Sequence, residues 1–265
     1  MRIGFIGAGR MGAPMVRRLA DAGHRVRALG RDEHKRAAVA DLGAQPADTA
    51  AAAVADAEVA IVCVFTDDQV AELCPVLIDA MPDGAVLVLH TTGNPGTAET
   101  LTERGAARGI AVVDAPVSGG PHDIAAGTVT VFAGGDDDAV VTAGAALSAY
   151  ADPVLHVGPV GSGQRVKLVN NALFAAQIGA VAEAVGLGDR LGIDDPTLLT
   201  ALTHGSAASR ALGGIAATGS AAGFIARVGE FIGKDVAVVR RTAAELGSDL
   251  GRLEGLLDAA LKPAH

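Results

Sequence analysis

The sequence predicts an α/β chain in which a doubly wound sheet is followed by an all-helical C-terminal domain built on one long helix. Three observations support this prediction. Over about the first 150 residues, short apolar runs alternate with helical patterns, which is typical of a parallel sheet covered by helices. Gly158, Pro159, Gly161 and Gly163 then break the pattern. After them an alanine-rich helical pattern continues to about Leu191.

The predicted strands occupy the first of these regions. They are Arg2 to Ile6, His24 to Leu29, Val59 to Phe65, Val86 to His90, Ile110 to Ala115, Val129 to Ala133 and a short strand near Pro153 to Val157. The third strand is apolar throughout, which predicts a central position with both faces buried. Ligands of such sheets gather at the carboxyl ends of the strands. The residues expected on that side are Val64, Phe65 and the segments Thr66 to Gln69, Thr91 to Pro95 and Pro116 to Gly120.

The interruption before the long helix places the domain boundary between residues 160 and 161. The predicted domains are therefore residues 1–160 and 161–265. The long helix has about 28 residues and a length of about 42 Å, enough to cross a small domain. Its faces carry many small residues, which permit close helix contacts. We expect it to form the spine of the second domain and an interface in a homodimer or homotetramer.

Composition excludes several classes of function. The net charge is −9, and with no Trp and one Tyr the chain lacks both the basic face and the aromatic platforms of nucleic-acid-binding proteins. Charges and glycines interrupt every apolar run, so no membrane helix is predicted. The N-terminus enters the first strand at once, which indicates no targeting segment and a cytoplasmic protein. Cys63 and Cys74 are expected to be small hydrophobic residues in a reducing compartment.

A glycine-rich turn connects the first strand to the first helix, Ala13 to Ala22. It reads Gly7-Ala8-Gly9-Arg10-Met11-Gly12. In a dinucleotide fingerprint the first glycine permits the tight turn, the second lets the backbone approach a pyrophosphate, and the third lets the helix pack on the strand. Unpaired amides and the helix dipole favour an anion at the helix N-terminus. We therefore predict a Rossmann domain that binds a nicotinamide dinucleotide through this segment.

The residues after the second strand bear on which dinucleotide is bound. An acidic side chain there accepts from the ribose hydroxyls of NAD, whereas an arginine pairs with the additional phosphate of NADP. The chain has Gly30-Arg31-Asp32 at this point. Arg31, with Lys35 or Arg36 one helical turn later, favours NADP. Asp32 leaves NAD as the alternative, and these charges can also be read as the solvated start of a helix.

Lys167, Asn170 and Asn171 stand at i, i+3 and i+4 near the start of the long helix, so they project to one side. Asparagine competes for backbone hydrogen bonds, and two in succession inside an apolar helix indicate a buried polar site. A surface lysine beside a capping pair is the alternative. A lysine beside a nicotinamide can give a proton to a carbonyl oxygen as hydride reaches its carbon. Lys234 is the candidate for a second nearby cation, with Asp235 as its partner or as a helix-start charge.

A glycine-rich loop follows the strand that ends at Ala115. Within it, the Ser118 hydroxyl and the consecutive amides of Gly119 and Gly120 can form a concave nest for a small carboxylate. An ordinary surface loop is the alternative. The position at a strand's carboxyl end, on the dinucleotide side, favours a substrate site.

These motifs together resemble the β-hydroxyacid dehydrogenase family. It includes 3-hydroxyisobutyrate dehydrogenase, tartronate semialdehyde reductase, glyoxylate/succinic semialdehyde reductases and 6-phosphogluconate dehydrogenase. The resemblance covers nearly the whole chain and rests on five ordered motifs. They are GFIGAGRMGAPM, TTGNP, DAPVSGG followed by AAGTVTVFAGG, GSGQRVKLVNN and the late KD pair.

The resemblance implies a role for each candidate residue. Lys167 would be the general acid/base, and Asn171 would hold the substrate hydroxyl or carbonyl. The implied substrate contacts are Ser118, Gly119, Gly120 and Asn170. The implied cofactor contacts, beyond the glycine-rich turn and Arg31, are Val64, Phe65, Thr92 and Lys234.

Three departures from the family pattern bear on the substrate. The family has an acidic residue and a serine before the threonine of Leu89-His90-Thr91-Thr92, and small residues where this chain has Pro121-His122-Asp123-Ile124. Relatives also continue about one helix beyond the last residue here. His122 is a candidate substrate-pocket residue. No metal is expected, because His90, His122 and Asp123 lack a metal-ligand spacing.

The sequence therefore predicts an oxidoreductase that uses NADP, with NAD as the alternative, on a small carboxylate-bearing hydroxy acid or aldehyde acid. One alternative is imine reduction on the same scaffold. Relatives of that kind replace the lysine, and Lys167 is present here. The other is a catalytically silent dinucleotide-binding sensor or assembly protein, which would not need Lys167 and Asn171.

Overall fold

The computed structural model describes residues 1–261. Its strands are β1 (Arg2–Ile6), β2 (Arg25–Leu29), β3 (Gln45–Ala47), β4 (Val59–Val62), β5 (Val86–Leu89), β6 (Ala111–Asp114), β7 (Val117–Ser118), β8 (Val129–Gly134) and β9 (Ala151–Gly158). Its helices are α1 (Gly12–Asp21), α2 (Glu33–Asp41), α3 (Ala50–Val54), α4 (Asp67–Ala80), α5 (Pro95–Ala106), α6 (Pro121–Ala126), α7 (Asp137–Leu147), α8 (Ser162–Arg190), α9 (Asp195–His204), α10 (Arg210–Thr218), α11 (Ala221–Glu245) and α12 (Leu253–Leu261).

The chain divides into two compact units, the first being Met1–Lys167 and the second beginning at Leu168. The division falls inside α8, whereas the sequence-based boundary lies just before that helix. The domain limits of residues 1–160 and 161–265 stay a prediction.

The first unit contains a sheet in the order β3-β2-β1-β4-β5-β6-β8-β7, with β9 paired to β8. The six strands from β3 to β6 in this order are parallel. The strand order reverses between β1 and β4, and in such sheets the ligand crevice lies at that switch point, beyond the carboxyl ends of the strands. This arrangement confirms the predicted doubly wound Rossmann fold.

The sheet departs from the sequence-based prediction in two respects. β8 runs antiparallel to β6 and β7, so the sheet is mixed where a parallel one was expected. β3 and β7 were not predicted, since three and two residues are too short to show a strand period. β3 also contains Pro46, which is tolerated because β3 lies at the sheet edge.

Helices cover both faces of the sheet. Successive residues of a strand point to opposite faces, so Phe5 joins a core with Met15 of α1, while Ile6 joins a second core with Leu77 of α4. Every residue of β4 is buried, as predicted for a central strand. The predicted end of this strand at Phe65 is three residues too late, because the chain leaves the sheet to enter the capping turn of α4 at Thr66.

The second unit consists of helices. α8 confirms the predicted long helix, and the close contacts expected of its small residues occur within this unit. A Cβ atom on Gly179 would lie 2.1 Å from the carbonyl oxygen of Leu256 in α12, and one on Gly188 would lie 2.4 Å from Cδ2 of Leu198 in α9. By length and composition α8 could cross a membrane, but half of its most apolar window is buried inside the protein, as in a core helix.

Candidate active site

The turn after β1 has the geometry of a dinucleotide-binding loop. Gly7 has a φ of 102°, and a Cβ atom on it would lie 2.2 Å from the carbonyl oxygen of Cys63. A Cβ atom on Gly12 would lie 2.1 Å from the carbonyl oxygen of Gly7, whereas one on Gly9 would meet none of the described atoms within 4 Å. The first and third glycines are thus needed for packing, and the second leaves its outer side open.

The N-terminus of α1 fits a pyrophosphate beside this open glycine. Among the described residues no side chain caps it, and its first turn carries no acidic residue. The amide of Ala13 donates to the Gly9 carbonyl at 2.8 Å, while the positive end of the helix dipole faces this open side and favours an anion. The other predicted residues of the turn are Ala8 and Met11, which are half-buried, and Arg10, which is exposed.

The charged residues after β2 have distinct environments. Asp32 caps α2 by accepting a hydrogen bond of 2.8 Å from the amide of Lys35, which agrees with its interpretation as a helix-start charge. Arg36 lies 3.5 Å from a carboxylate oxygen of Asp48. The side chain of Arg31 is exposed directly beyond the strand end.

The ends of β4 and β5 are joined by one threonine. The Thr91 hydroxyl accepts from the amide of Val64 at 3.0 Å and donates to the Val64 carbonyl at 3.0 Å. Thr92, the predicted nicotinamide contact, follows it and is half-buried. Phe65 is 57% exposed, so its side chain offers an apolar surface that a cofactor ring can cover.

The start of α8 is held by a buried carboxylate. Asp114, at the end of β6, is fully buried and accepts from the amides of Gly161 at 2.6 Å and Gln164 at 2.7 Å. Burial raises the pKa of Asp114 to about 6, and the two amide hydrogen bonds act in the opposite direction. A Cβ atom on Gly163 would lie 2.4 Å from the Phe132 carbonyl oxygen, so the helix start is packed directly on the sheet.

Gln164 ties the same helix start to the end of β5. Its side-chain amide accepts from the amide of Gly93 at 3.0 Å and donates to the carbonyl of Thr91 at 2.8 Å. Sequence reasoning assigned no role to Gln164 or Asp114, although both lie within motifs that carry the family resemblance. The signal that could have identified them is a polar residue inside a motif that carries the resemblance, as with Asp114 directly after Val112 and Val113.

The predicted proton donor lies on this helix, one turn after Gln164. Lys167 is 8% exposed and Asn171 is 6% exposed, so the alternative of a surface lysine is wrong. Asn170 is half-buried and donates to Oδ1 of Asn171 at 3.2 Å. The Nδ2 atom of Asn171 is buried and has no hydrogen-bond partner among the described residues. A buried donor without a partner is costly unless a ligand supplies an acceptor.

In the loop predicted to bind the substrate carboxylate, some of the groups already pair with other residues of the protein. Ser118 pairs with Thr130 in the β7–β8 ladder, and Gly119 has a φ of 140°. The amide of Gly120 donates to Oδ2 of Asp123 at 2.7 Å, as part of the start of α6. A substrate carboxylate would therefore have to displace Asp123 to reach this amide.

His90 is held by two buried hydrogen bonds within the first unit. Nδ1 of His90 lies 2.5 Å from the carbonyl oxygen of Ala115, and Nε2 lies 2.6 Å from the hydroxyl oxygen of Tyr150. Burial lowers the pKa of His90 to about 4, so the ring is neutral near pH 7. A carbonyl only accepts, so Nδ1 carries the proton and Nε2 accepts from Tyr150.

His122, the candidate substrate-pocket residue, is exposed and lies 3.4 Å from Asp123. Among the side chains that the structure describes, no group of three or more His, Cys, Asp or Glu could hold a metal ion.

Lys234 lies in the second unit. It is half-buried and stands well inside α11, as does Asp235. The interpretation of Asp235 as a helix-start charge is therefore wrong, since α11 begins at Ala221. The assignment of Lys234 to the cofactor stays a prediction.

Two family models match the chain in succession. The first, described as the NAD binding domain of 6-phosphogluconate dehydrogenase, matches residues 2–158. The second, described as NAD-binding of NADP-dependent 3-hydroxyisobutyrate dehydrogenase, matches residues 161–255.

Individual proteins give the same result. The chain is 33% identical to 3-hydroxyisobutyrate dehydrogenase of Pseudomonas aeruginosa over 213 residues, which is 79% of this chain and 72% of the relative. The structure of Mycobacterium tuberculosis 3-hydroxyisobutyrate dehydrogenase with L-serine has a TM-score of 0.87 at 27% identity, covering 99% of this chain and 94% of that one. An imine reductase from Pseudomonas sp. has a TM-score of 0.69 at 20% identity, covering 98% and 92%, which shows a shared fold alone.

Proposed function

This chain belongs to the β-hydroxyacid dehydrogenase family, and we propose that it transfers a hydride between NADP(H) and a small hydroxy acid or aldehyde acid. Family models and relatives make it an NAD(P)-dependent dehydrogenase acting on CH–OH groups. The finer proposal is a substrate of the 3-hydroxyisobutyrate or semialdehyde type. The observation that carries the proposed reaction is the buried Lys167, which lies one helical turn from Asn171, whose buried side-chain nitrogen has no hydrogen-bond partner among the described residues.

The cofactor would be held by the Gly7–Gly12 turn, Arg31 and the Val64–Phe65 and Thr92 segments. The open side of Gly9 and the uncapped start of α1 support this assignment. When bound, the nicotinamide supplies or accepts the hydride.

The protein's own contribution is proton transfer and orientation. In reduction Lys167 Nζ gives a proton to the substrate carbonyl oxygen, and in oxidation it takes the proton back. Nδ2 of Asn171 donates a hydrogen bond to that oxygen, which orients it and satisfies the buried amide. We assign the substrate carboxylate to Ser118 and Gly119, with Gly120 joining when Asp123 releases its amide.

Initial-rate oxidation of NADPH and NADH tests this proposal. We expect turnover of at least one aldehyde acid among glyoxylate and the succinic, tartronate and methylmalonate semialdehydes, with a cyclic imine as the control. Turnover of the imine alone would favour an imine reductase. Tight cofactor binding without turnover of any of them would favour the catalytically silent sensor.

We propose a preference for NADP, which is supported by the exposed Arg31 beyond β2 and by the use of Asp32 as a helix cap. Removing a charge-assisted contact to the additional phosphate costs about 1.4 kcal/mol or more, which is about tenfold in affinity. We expect Arg31→Ala to raise the KM for NADPH about tenfold and to leave the KM for NADH unchanged.

The matched control for this prediction is Arg25→Ala, which removes an exposed arginine from the opposite end of β2. It should change neither Michaelis constant. If Arg31→Ala raises the KM for NADPH and the KM for NADH equally, Arg31 does not bind the additional phosphate of NADP.

The proposal also covers assembly and location. We propose a homodimer or homotetramer in the cytoplasm, with no nucleic acid or membrane as a partner. Apolar side chains that are exposed on α8 and directly after it support self-association, namely Val169, Leu173 and Leu187 on the helix and Leu191 just beyond its end.

A further inference from the structure

We infer that Gln164 is a positioning residue, which sets the helix that carries Lys167 against the loop that carries Thr92. This inference rests on the proposed function, in which these two residues serve proton transfer and the nicotinamide side. Gln164 itself is assigned no contact with substrate or cofactor. It is 3% exposed and stands three residues before Lys167 on α8.

Three polar groups of Gln164 are bonded to three separate points of the first unit. The side-chain oxygen accepts from the amide of Gly93 at 3.0 Å, and the side-chain nitrogen donates to the carbonyl of Thr91 at 2.8 Å. These two residues flank Thr92. The backbone amide of Gln164 donates to Asp114 at 2.7 Å. The side chain therefore holds the backbone on both sides of Thr92 with one rigid amide group.

The hydrogen bonds also define which way the amide points. A backbone N–H can only donate and a carbonyl can only accept, so the oxygen must face Gly93 and the nitrogen must face Thr91. Thr91 in turn bonds both backbone groups of Val64. One chain of hydrogen bonds thus runs from the lysine-bearing helix through the end of β5 to the end of β4, and it is buried at Gln164 and partly buried at Val64.

This connection matters for hydride transfer because the nicotinamide and the substrate carbon must approach each other within a narrow range of distances and angles. A displacement of about 1 Å from a change outside the reacting groups can cost about 100-fold in rate. Loss of the Gln164 amide would let the Thr92 loop shift relative to the helix start while each element remains folded. The expected signature is a lower kcat with cofactor affinity nearly unchanged.

The first arm of the test needs no cofactor. Amide hydrogen exchange at Gly93 is compared in the unliganded wild type, Gln164→Ala and the control Gln177→Ala, which makes the same change farther along α8. We expect Gly93 to exchange at least about tenfold faster in Gln164→Ala and at the wild-type rate in Gln177→Ala. Wild-type exchange at Gly93 in Gln164→Ala would overturn the inference.

The second arm measures the transfer step. Gln164→Ala and Gln164→Met, which keeps the length of the side chain without its hydrogen bonds, should lower kcat about 10- to 100-fold. The Kd for NADPH should change less than about threefold. The primary isotope effect with NADPH deuterated at the transferred position should rise, because the hydride step becomes more rate-limiting.

The outcomes separate this inference from the proposed function. Wild-type kcat and isotope effect in both Gln164 variants, with activity lost in a Lys167 variant, would overturn the positioning role and leave the reductase assignment intact. Full activity in the Lys167 variant would instead overturn the proposed mechanism. If Gln164→Ala does not fold, as judged by its melting temperature, Gln164→Met carries both arms.

Discussion

Replacing Lys167 with alanine is expected to lower kcat by about 10²–10⁴-fold and to leave the affinity for NADPH nearly unchanged. The change removes the group that exchanges a proton with the substrate oxygen, so the loss falls on the chemical step. Steady-state kinetics with the best aldehyde acid measure kcat, and the change in NADPH fluorescence on binding measures its affinity.

Two further variants make this result specific. Arg165→Ala removes an exposed cation from the same helix, where it pairs with Glu99 at 2.7 Å, and should retain kcat within a few-fold. Lys167→Arg keeps the charge but holds its proton throughout the accessible pH range, so it should remain as impaired as alanine. Near-normal turnover in Lys167→Ala would assign the proton transfer to another group.

Replacing Asp114 with alanine is expected to lower the free energy of unfolding by about 3 kcal/mol at pH 7. The change leaves the amides of Gly161 and Gln164 buried without an acceptor, and each such donor costs about 1–3 kcal/mol. Removing a buried charge offsets part of this cost. Urea unfolding measures the difference. Asp138→Ala, which removes an exposed carboxylate from the first turn of α7, should change stability by less than about 1 kcal/mol.

The effect of Asp114→Ala should depend on pH in a defined direction. Burial raises the pKa of Asp114 to about 6 in the folded chain, above an ordinary value of 3.8, so the folded state holds this proton more tightly. The resulting stabilisation is largest below about pH 4 and is lost as the pH rises through about 6. The destabilisation by alanine should therefore be about 1 kcal/mol larger at pH 5 than at pH 7. A smaller effect at pH 5 would mean that the two amides favour the ionised carboxyl more than burial opposes it.

The titration of His90 does not account for the expected pH dependence of the difference in unfolding free energy between wild type and Asp114→Ala. Burial lowers its pKa to about 4, so His90 contributes stability that is lost as the pH falls below about 6.5. Wild type and Asp114→Ala both contain this histidine, and its contribution cancels in their difference. The sign of the remaining pH dependence belongs to Asp114.

The sequence by itself determined the features that depend on neighbours along the chain. The turn from β1 into α1 could be predicted because a strand, three spaced glycines and a helix follow one another directly. The long helix and the spacing of Lys167 and Asn171 could be predicted for the same reason, since helical periodicity alone places residues one turn apart on one side.

Only the tertiary structure decided which remote groups hold these features in place. Asp114 meets Gly161 across 47 residues, His90 meets Tyr150 across 60, and Gln164 meets Thr91 across 73. The antiparallel direction of β8 and the engagement of the Gly120 amide by Asp123 were likewise absent from the sequence-based prediction. A periodic pattern shows that a side chain is buried, but its partner depends on how the strands are ordered and which loops their ends bring together.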